Sequence, residues 1–183
     1  MPSLVGSEMC IRDRFVIDTS SSMYFRDGNE SKFEFSVYAV ASLMELLRRQ
    51  RDAVGITFFS DKVDFISELK SSQRHHKELY DHMEKRLNEY VPSKKDLTST
   101  AVVLHEVAEL TPKRSLVVLF TDLLDDPNNI DAIVEALQHL KHNKHEVVLF
   151  QVIDIEKELK LSFDNRPHAV SYTHLRAHET RHD

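Results

Sequence analysis

Glycine, cysteine and long apolar runs are scarce in this chain, and each scarcity excludes a class of protein. Only three glycines occur among 183 residues, and they do not form the G-x-G-x-x-G or G-x-x-x-x-G-K-[ST] loops that hold nucleotide phosphates. No stretch of about 18 apolar residues is present, so we predict no membrane-spanning helix. The 24 Lys and Arg against 30 Asp and Glu give a net charge of -6, which argues against a nucleic-acid-binding surface because such surfaces are basic.

The two ends of the chain do not read like protein. One DNA sequence that encodes residues 4–13 encodes residues 170–179 when its complementary strand is translated. This relation is no property of folding, and it resembles a transposase-type sequencing adapter translated at both ends of a fragment. We therefore expect residues 1–14 and 169–183 to be adapter-derived, and residues 15–168 to be one native domain of a protein that extends further upstream.

Two chemical signals fall within these end segments. Cys10 is the single cysteine of the chain, so the native part is expected to have no disulfide bond and no thiol catalysis. This composition is compatible with a reducing, cytoplasmic location, which is the location we predict. The H-E-x-x-H pattern at residues 178–182 is typical of zinc metalloproteases, but we reject it because these residues are expected to be adapter-derived.

Strand and helix patterns alternate along the native part. Strands are predicted at residues 15–17, 52–59, 62–66, 115–120 and 146–155. Helices are predicted at residues 32–49, 71–90, from 97 onward and 130–142. The alternation predicts an α/β fold, a doubly wound, mostly parallel sheet with helices on both faces. We interpret His75, His76 and His82 in the second helix as part of a solvated face, since no acid or cysteine stands with them at a metal-binding spacing.

An acid and two serines follow the first strand directly, as Asp18-x-Ser20-x-Ser22. Ligands of open α/β sheets bind outside the carboxyl ends of the strands, so these side chains stand where a site is expected. Their oxygens suit Mg2+ or a similar hard cation. The alternative is a Ser/Thr turn that merely caps the next element.

Two later loops carry oxygen-bearing side chains as well. Asp122 follows the strand at 115–120, and Thr98 stands where the third helix opens. A threonine at a helix start is commonly an N-cap, so Thr98 alone is ambiguous. Thr100 is a rival for the same role.

Together, Asp18-x-Ser20-x-Ser22, Thr98 and Asp122 resemble the three loops of the metal-ion-dependent adhesion site of von Willebrand factor A domains. The wider resemblance is to a bacterial branch of that fold, the domain of unknown function 58 (DUF58) family, whose members are typically encoded beside MoxR-type AAA+ ATPases. It is carried by residues 15–23, 31–35, 52–55, 58–61, 115–126 and 152–154.

The resemblance implies a ligand set for a divalent cation, Mg2+ or Mn2+. Ser20 and Ser22 would bind the cation directly, and Thr98 directly or through water. Asp18 and Asp122 would act largely through water and hydrogen bonds. With few anionic ligands the cation keeps an open position and residual positive charge, which an acidic side chain from a protein partner can fill.

The implied function is a metal-dependent protein-interaction module, not an enzyme, that works with a MoxR-type AAA+ ATPase in assembling or activating another complex. Leu97 and Leu123 stand at positions where many adhesion-type domains have glycine, although a leucine after the third-loop acid, Asp122, fits the DUF58 branch. One alternative is a Mg2+-dependent phosphatase of the haloacid dehalogenase type, but Ser20 stands where that type needs a second acid. The other alternative is a structural domain with a vestigial site.

Overall fold

A five-stranded, mostly parallel sheet is the main element of the first compact unit, which ends at Ile153. The computed structural model of the protein describes residues 12–25, 30–89, 100–124 and 129–160. In chain order the strands are β1 (Arg12–Asp18), β2 (Ala53–Phe59), β3 (Val63–Ile66), β4 (Leu116–Thr121) and β5 (Glu146–Gln151). Their order in the sheet is β3-β2-β1-β4-β5, and among these strands β3 runs antiparallel to its neighbour. The strand that carries the candidate site therefore lies in the middle of the sheet.

Four helices of the described residues accompany the sheet: α1 (Lys32–Gln50), α2 (Gln73–Asn88), α3 (Thr100–Leu110) and α4 (Ile130–His142). Successive side chains of a strand point to opposite faces, and β1 shows this directly. Phe15 and Ile17 lie in a core with α1 and α2, whereas Val16 lies in a second core with α3 and α4. The predicted α/β class and mostly parallel sheet are confirmed. No helix within the described ranges is both long and apolar enough to cross a membrane.

The solvated-face interpretation of the α2 histidines is wrong for two of them. His75 and His76 are buried, with 7% and 2% of their surface exposed. His75 Nε2 lies 3.0 Å from the carbonyl oxygen of Val54, because the N-terminal turn of α2 packs against β2. His82 is exposed, and its ring lies 4.4 Å from that of Phe65 between centroids, at an interplanar angle of 33°.

The last predicted strand is shorter than its pattern suggested. β5 ends at Gln151, and a single π-helical turn, Ile155–Leu159, follows. This turn belongs to a second compact unit that begins at Asp154. Within it the backbone N–H of Asp154 donates to Glu158 Oε2 at 3.0 Å.

Arg12, Asp13 and Arg14, which we expected to be adapter-derived, form the first part of β1. The Arg14 guanidinium donates to Thr57 Oγ1 at 3.1 Å and to the carbonyl oxygen of Ser67 at 3.2 Å. Asp13 is fully buried, and neither of its carboxylate oxygens has a hydrogen-bond partner among the described residues. Burial, and secondarily the charge of Asp52, raises the pKa of Asp13 to about 6. Residues 169–183 lie outside the described residues, and the proposed boundaries of the native domain stay a prediction.

Gly55 of β2 is required because another segment crosses directly over it. A Cβ atom at this position would lie 2.8 Å from the carbonyl oxygen of Glu68, 2.9 Å from Ser67 Oγ and 3.0 Å from Leu69 Cδ2. We expect Gly55→Ala to lower the free energy of unfolding by about 1–3 kcal/mol, since a backbone atom must move to relieve the overlap. Denaturant unfolding measures this loss. Gly55→Val should lose more, and an equal or smaller loss in the valine variant would contradict a steric cause.

Candidate metal centre

The loop after β1 places two serine hydroxyls beside a carboxylate. Asp18 is the last residue of β1, and its Oδ1 accepts a hydrogen bond from the backbone N–H of Ser20 at 2.7 Å. This contact turns the chain out of the strand, as Asp side chains commonly do. A single 3-10 turn, Ser21–Tyr24, follows, and Ser20 Oγ lies 3.1 Å from Ser22 Oγ. Three oxygen-bearing side chains predicted from sequence are thus held in one short loop.

The loop after β4 is joined to this first loop. β1 and β4 are parallel neighbours, so their carboxyl ends meet at the same edge of the sheet. Thr121 Oγ1 donates to Asp18 Oδ2 at 2.6 Å and accepts from the backbone N–H of Leu123 at 3.1 Å. Thr121 was missed by sequence reasoning. Its signal was only that it is a polar residue at the end of an apolar strand.

The residue after Asp122, Leu123, has a backbone conformation that favours glycine. Its φ is 56°, in the left-handed region that glycine enters without strain and leucine does not. The neighbouring Asp122 stabilises this turn, because its Oδ1 accepts from the backbone N–H of Leu124 at 3.0 Å.

Lys32 brings a positive charge to Asp122. Its Nζ lies 2.8 Å from Asp122 Oδ2, and the two side chains are 6% and 2% exposed. Lys32 is the first residue of α1, directly after Ser31, which forms a capping box with Glu34. Sequence reasoning missed Lys32 as well. The available signal was a lysine in the first turn of a helix, where the helix dipole disfavours a cation.

The electrostatics of Asp18 are dominated by burial. Only 2% of the residue is exposed, and desolvation raises the pKa of Asp18 to about 6. Hydrogen bonds from Thr121 and Ser20 oppose this rise, whereas the negative charge of Asp122 adds to it. A nearby cation would favour the ionised form of this carboxylate.

The middle loop is only partly described. Thr98 falls in residues 90–99, outside the described residues, and its predicted role stays a prediction. Thr100, its rival, is the first residue of α3 and is 1% exposed. In the described part of the chain, no three His, Cys, Asp or Glu side chains come together to hold a metal ion.

The end of β2 is tied to the same edge of the sheet. Thr19 Oγ1 donates to the carbonyl oxygen of Phe59 at 2.7 Å and lies 3.2 Å from Asp64 Oδ2. Ser60 Oγ lies 3.3 Å from the same carboxylate oxygen. The loop that carries Ser20 is thus bonded to β2 on one side and to β4 on the other.

Two solved structures from Bacteroides share the fold at low sequence identity. The aerotolerance-related membrane protein from Bacteroides fragilis NCTC 9343, with multiple mutations to serines, matches at 20% identity and a TM-score of 0.52, covering 76% of this chain and 66% of that chain. The conserved hypothetical protein BatB from Bacteroides thetaiotaomicron matches at 19% identity and a TM-score of 0.52, covering 76% and 65%. The chain thus spans slightly less than two thirds of each of these proteins.

The sequence itself matches one described family. No curated protein matches the chain. The family described as "Protein of unknown function DUF58" matches residues 10–166, most of the length, and the chain therefore belongs to this family.

Proposed function

We propose that the chain is a doubly wound domain of the von Willebrand factor A type, in which a divalent cation mediates binding to another protein. Two features support this architecture: β1 lies between β2 and β4, and each face of the sheet has its own core with two helices. Ligand sites of such folds lie where the connections from adjacent strands diverge, outside their carboxyl ends. Asp18 and Asp122 stand at that place.

The observation that carries the proposal is the 3.1 Å separation of Ser20 Oγ and Ser22 Oγ beside Asp18. Neighbouring ligands of an octahedral Mg2+, each about 2.1 Å from the ion, are about 3 Å apart. The two hydroxyls therefore fit adjacent positions around one Mg2+ or Mn2+, with Thr98 as a further ligand. Asp18 and Asp122 would orient water molecules and hydrogen bonds around the ion.

When bound, the cation would supply positive charge to an acidic side chain from a partner protein. This chain's own residues orient the ligands: Thr121 holds Asp18, and Asp18 holds the backbone of Ser20. By family resemblance we propose that the domain works in the bacterial cytoplasm with a MoxR-type AAA+ ATPase, in the assembly or activation of another complex. In this proposal the domain is not an enzyme.

Addition of Mg2+ or Mn2+ to the metal-free protein should raise its Tm. Ligand at about 100 times its Kd stabilises a folded state by about 2.7 kcal/mol. Asp18→Asn should abolish the shift while preserving an oxygen for the Ser20 N–H, and Asp81→Asn on the exposed surface of α2 serves as the matched control. If Mg2+ or Mn2+ raises the Tm of Asp18→Asn as much as that of the wild type, the assigned site is wrong.

The same variants separate the two alternatives. Turnover of p-nitrophenyl phosphate by the metal-loaded protein, lost in Asp18→Asn, would overturn the non-enzymatic proposal in favour of a phosphatase. No effect of either metal on the Tm would favour a structural domain whose hydroxyls only cap the turn.

A further inference from the structure

A buried ammonium group, that of Lys32, is paired with one carboxylate of the candidate metal centre. Its Nζ is 2.8 Å from Asp122 Oδ2, and Thr121, the residue before Asp122, donates to Asp18 Oδ2 at 2.6 Å. Resting on the proposed function, we infer that Lys32 sets the charge of the centre. It weakens binding of the cation, and it makes the cation-loaded centre positive, so that the centre captures a carboxylate from a partner.

The charges of the described groups lead to this inference. With both carboxylates ionised, Asp18, Asp122 and Lys32 together carry one negative charge. A divalent cation changes this to one positive charge, which attracts an anion. Without the ammonium group, the same centre would carry two negative charges and become neutral when the cation binds. Lys32 therefore lowers the affinity of the centre for the metal and raises the affinity of the metal-loaded centre for an anionic partner.

The position of Lys32 gives its charge a large effect. The side chain is 6% exposed, and lysines are almost never buried unless they are paired. The capping box of Ser31 and Glu34 fixes the start of α1, which determines where the Lys32 side chain begins. Coulomb interactions are several times stronger near a protein interior than in bulk water, so this ammonium acts on the centre with little screening.

Three substitutions separate charge from shape. Lys32→Gln removes the charge and keeps an N–H donor for Asp122, Lys32→Met removes both, and Lys32→Arg keeps the charge. The affinity for Mn2+ is measured on the full chain by isothermal titration calorimetry, after circular dichroism has shown that each variant is folded. We expect the Lys32→Gln and Lys32→Met variants to bind Mn2+ about tenfold or more tightly than the wild type does. The Mn2+ affinity of Lys32→Arg should remain within about threefold of the wild-type value.

The second measurement concerns the anion, and acetate is the probe. Acetate that binds the loaded centre displaces water from Mn2+, which lowers the relaxation rate of water protons. In the Lys32→Gln variant, about tenfold more acetate should be needed than in the wild type, because the loaded centre has lost its positive charge.

The outcomes distinguish this inference from the proposed function. If Lys32→Gln and Lys32→Met bind Mn2+ with unchanged affinity while Asp18→Asn does not bind it, the role of Lys32 is wrong. The assignment of the metal centre is then unaffected. Mn2+ binding in Lys32→Gln but not in the wild type supports the role of Lys32 and contradicts the proposed function of the wild-type site. Absence of binding in every variant overturns both.

Discussion

Asp122→Ala is expected to lower the free energy of unfolding of the metal-free protein by about 3–5 kcal/mol. The substitution removes a carboxylate that lies 2.8 Å from the buried ammonium of Lys32, while the lysine charge stays in place. It also removes the acceptor for the backbone N–H of Leu124. Unfolding by guanidinium chloride in the presence of EDTA measures the loss without any contribution from bound cation.

Two further variants assign this loss to the ion pair. Asp122→Asn keeps an oxygen for Lys32 and for the Leu124 N–H, so a smaller loss of about 1–3 kcal/mol is expected. The double variant Lys32→Met with Asp122→Ala should lose less than the sum of the two single variants, because neither charge remains buried without the other. Additive losses would show that Asp122 acts through the turn at Leu123 and not through Lys32.

Local patterns were sufficient to predict most elements of the fold. The helix predicted at residues 130–142 is observed as Ile130–His142, and the strand predicted at 115–120 is observed as Leu116–Thr121. The helix shows its period over several turns, and the strand is a continuous apolar run, which is typical of a parallel strand buried on both faces. The same holds for the β1 loop, where Asp18, Ser20 and Ser22 are neighbours in sequence as well as in space.

The contacts that complete the candidate site could not be predicted in this way. Lys32 and Asp122 are 90 residues apart in sequence, and Thr121 and Asp18 are 103 residues apart. Their pairing depends on which strands are neighbours and on where α1 starts relative to β4. A single sequence carries no periodicity that reports such a contact, so a lysine in a helix and a threonine in a strand looked ordinary.

The α2 histidines show a signal that was present and was misread. His75, Leu79 and Met83 follow one another at four-residue steps and share one face of the helix. All three are buried. The polar character of histidine suggested solvent, whereas the spacing placed His75 with the apolar residues. At His75, the helical period predicts burial better than the residue type does.

Asp13→Val is expected to stabilise the protein by about 2 kcal/mol at neutral pH. Asp13 alternates with Phe15 and Ile17 along β1, and those two side chains belong to the core with α1 and α2. Its carboxylate is fully buried without a hydrogen-bond partner among the described residues. The rise of its pKa from 3.8 to about 6 corresponds to about 3 kcal/mol, and solvent screening near the start of the strand reduces this figure.

The pH dependence identifies the cause of this stabilisation. Because the folded state raises the pKa of Asp13, the folded protein holds the proton more tightly than the unfolded chain does. The penalty for ionising the carboxyl is absent below about pH 4, grows as the pH rises, and is complete above about pH 6. The difference in unfolding free energy between Asp13→Val and the parent should therefore increase across that window.

Comparison of the two proteins at each pH isolates Asp13 and its interaction with Asp52, because the other charged groups are present in both proteins and their contributions cancel. Asp13→Asn is the control that removes the charge but leaves a polar side chain in the core, so its difference from the parent should increase across the same pH window but stay below that of Asp13→Val at every pH. A difference that stays constant from about pH 4 to about pH 7 would contradict the buried charge as the cause.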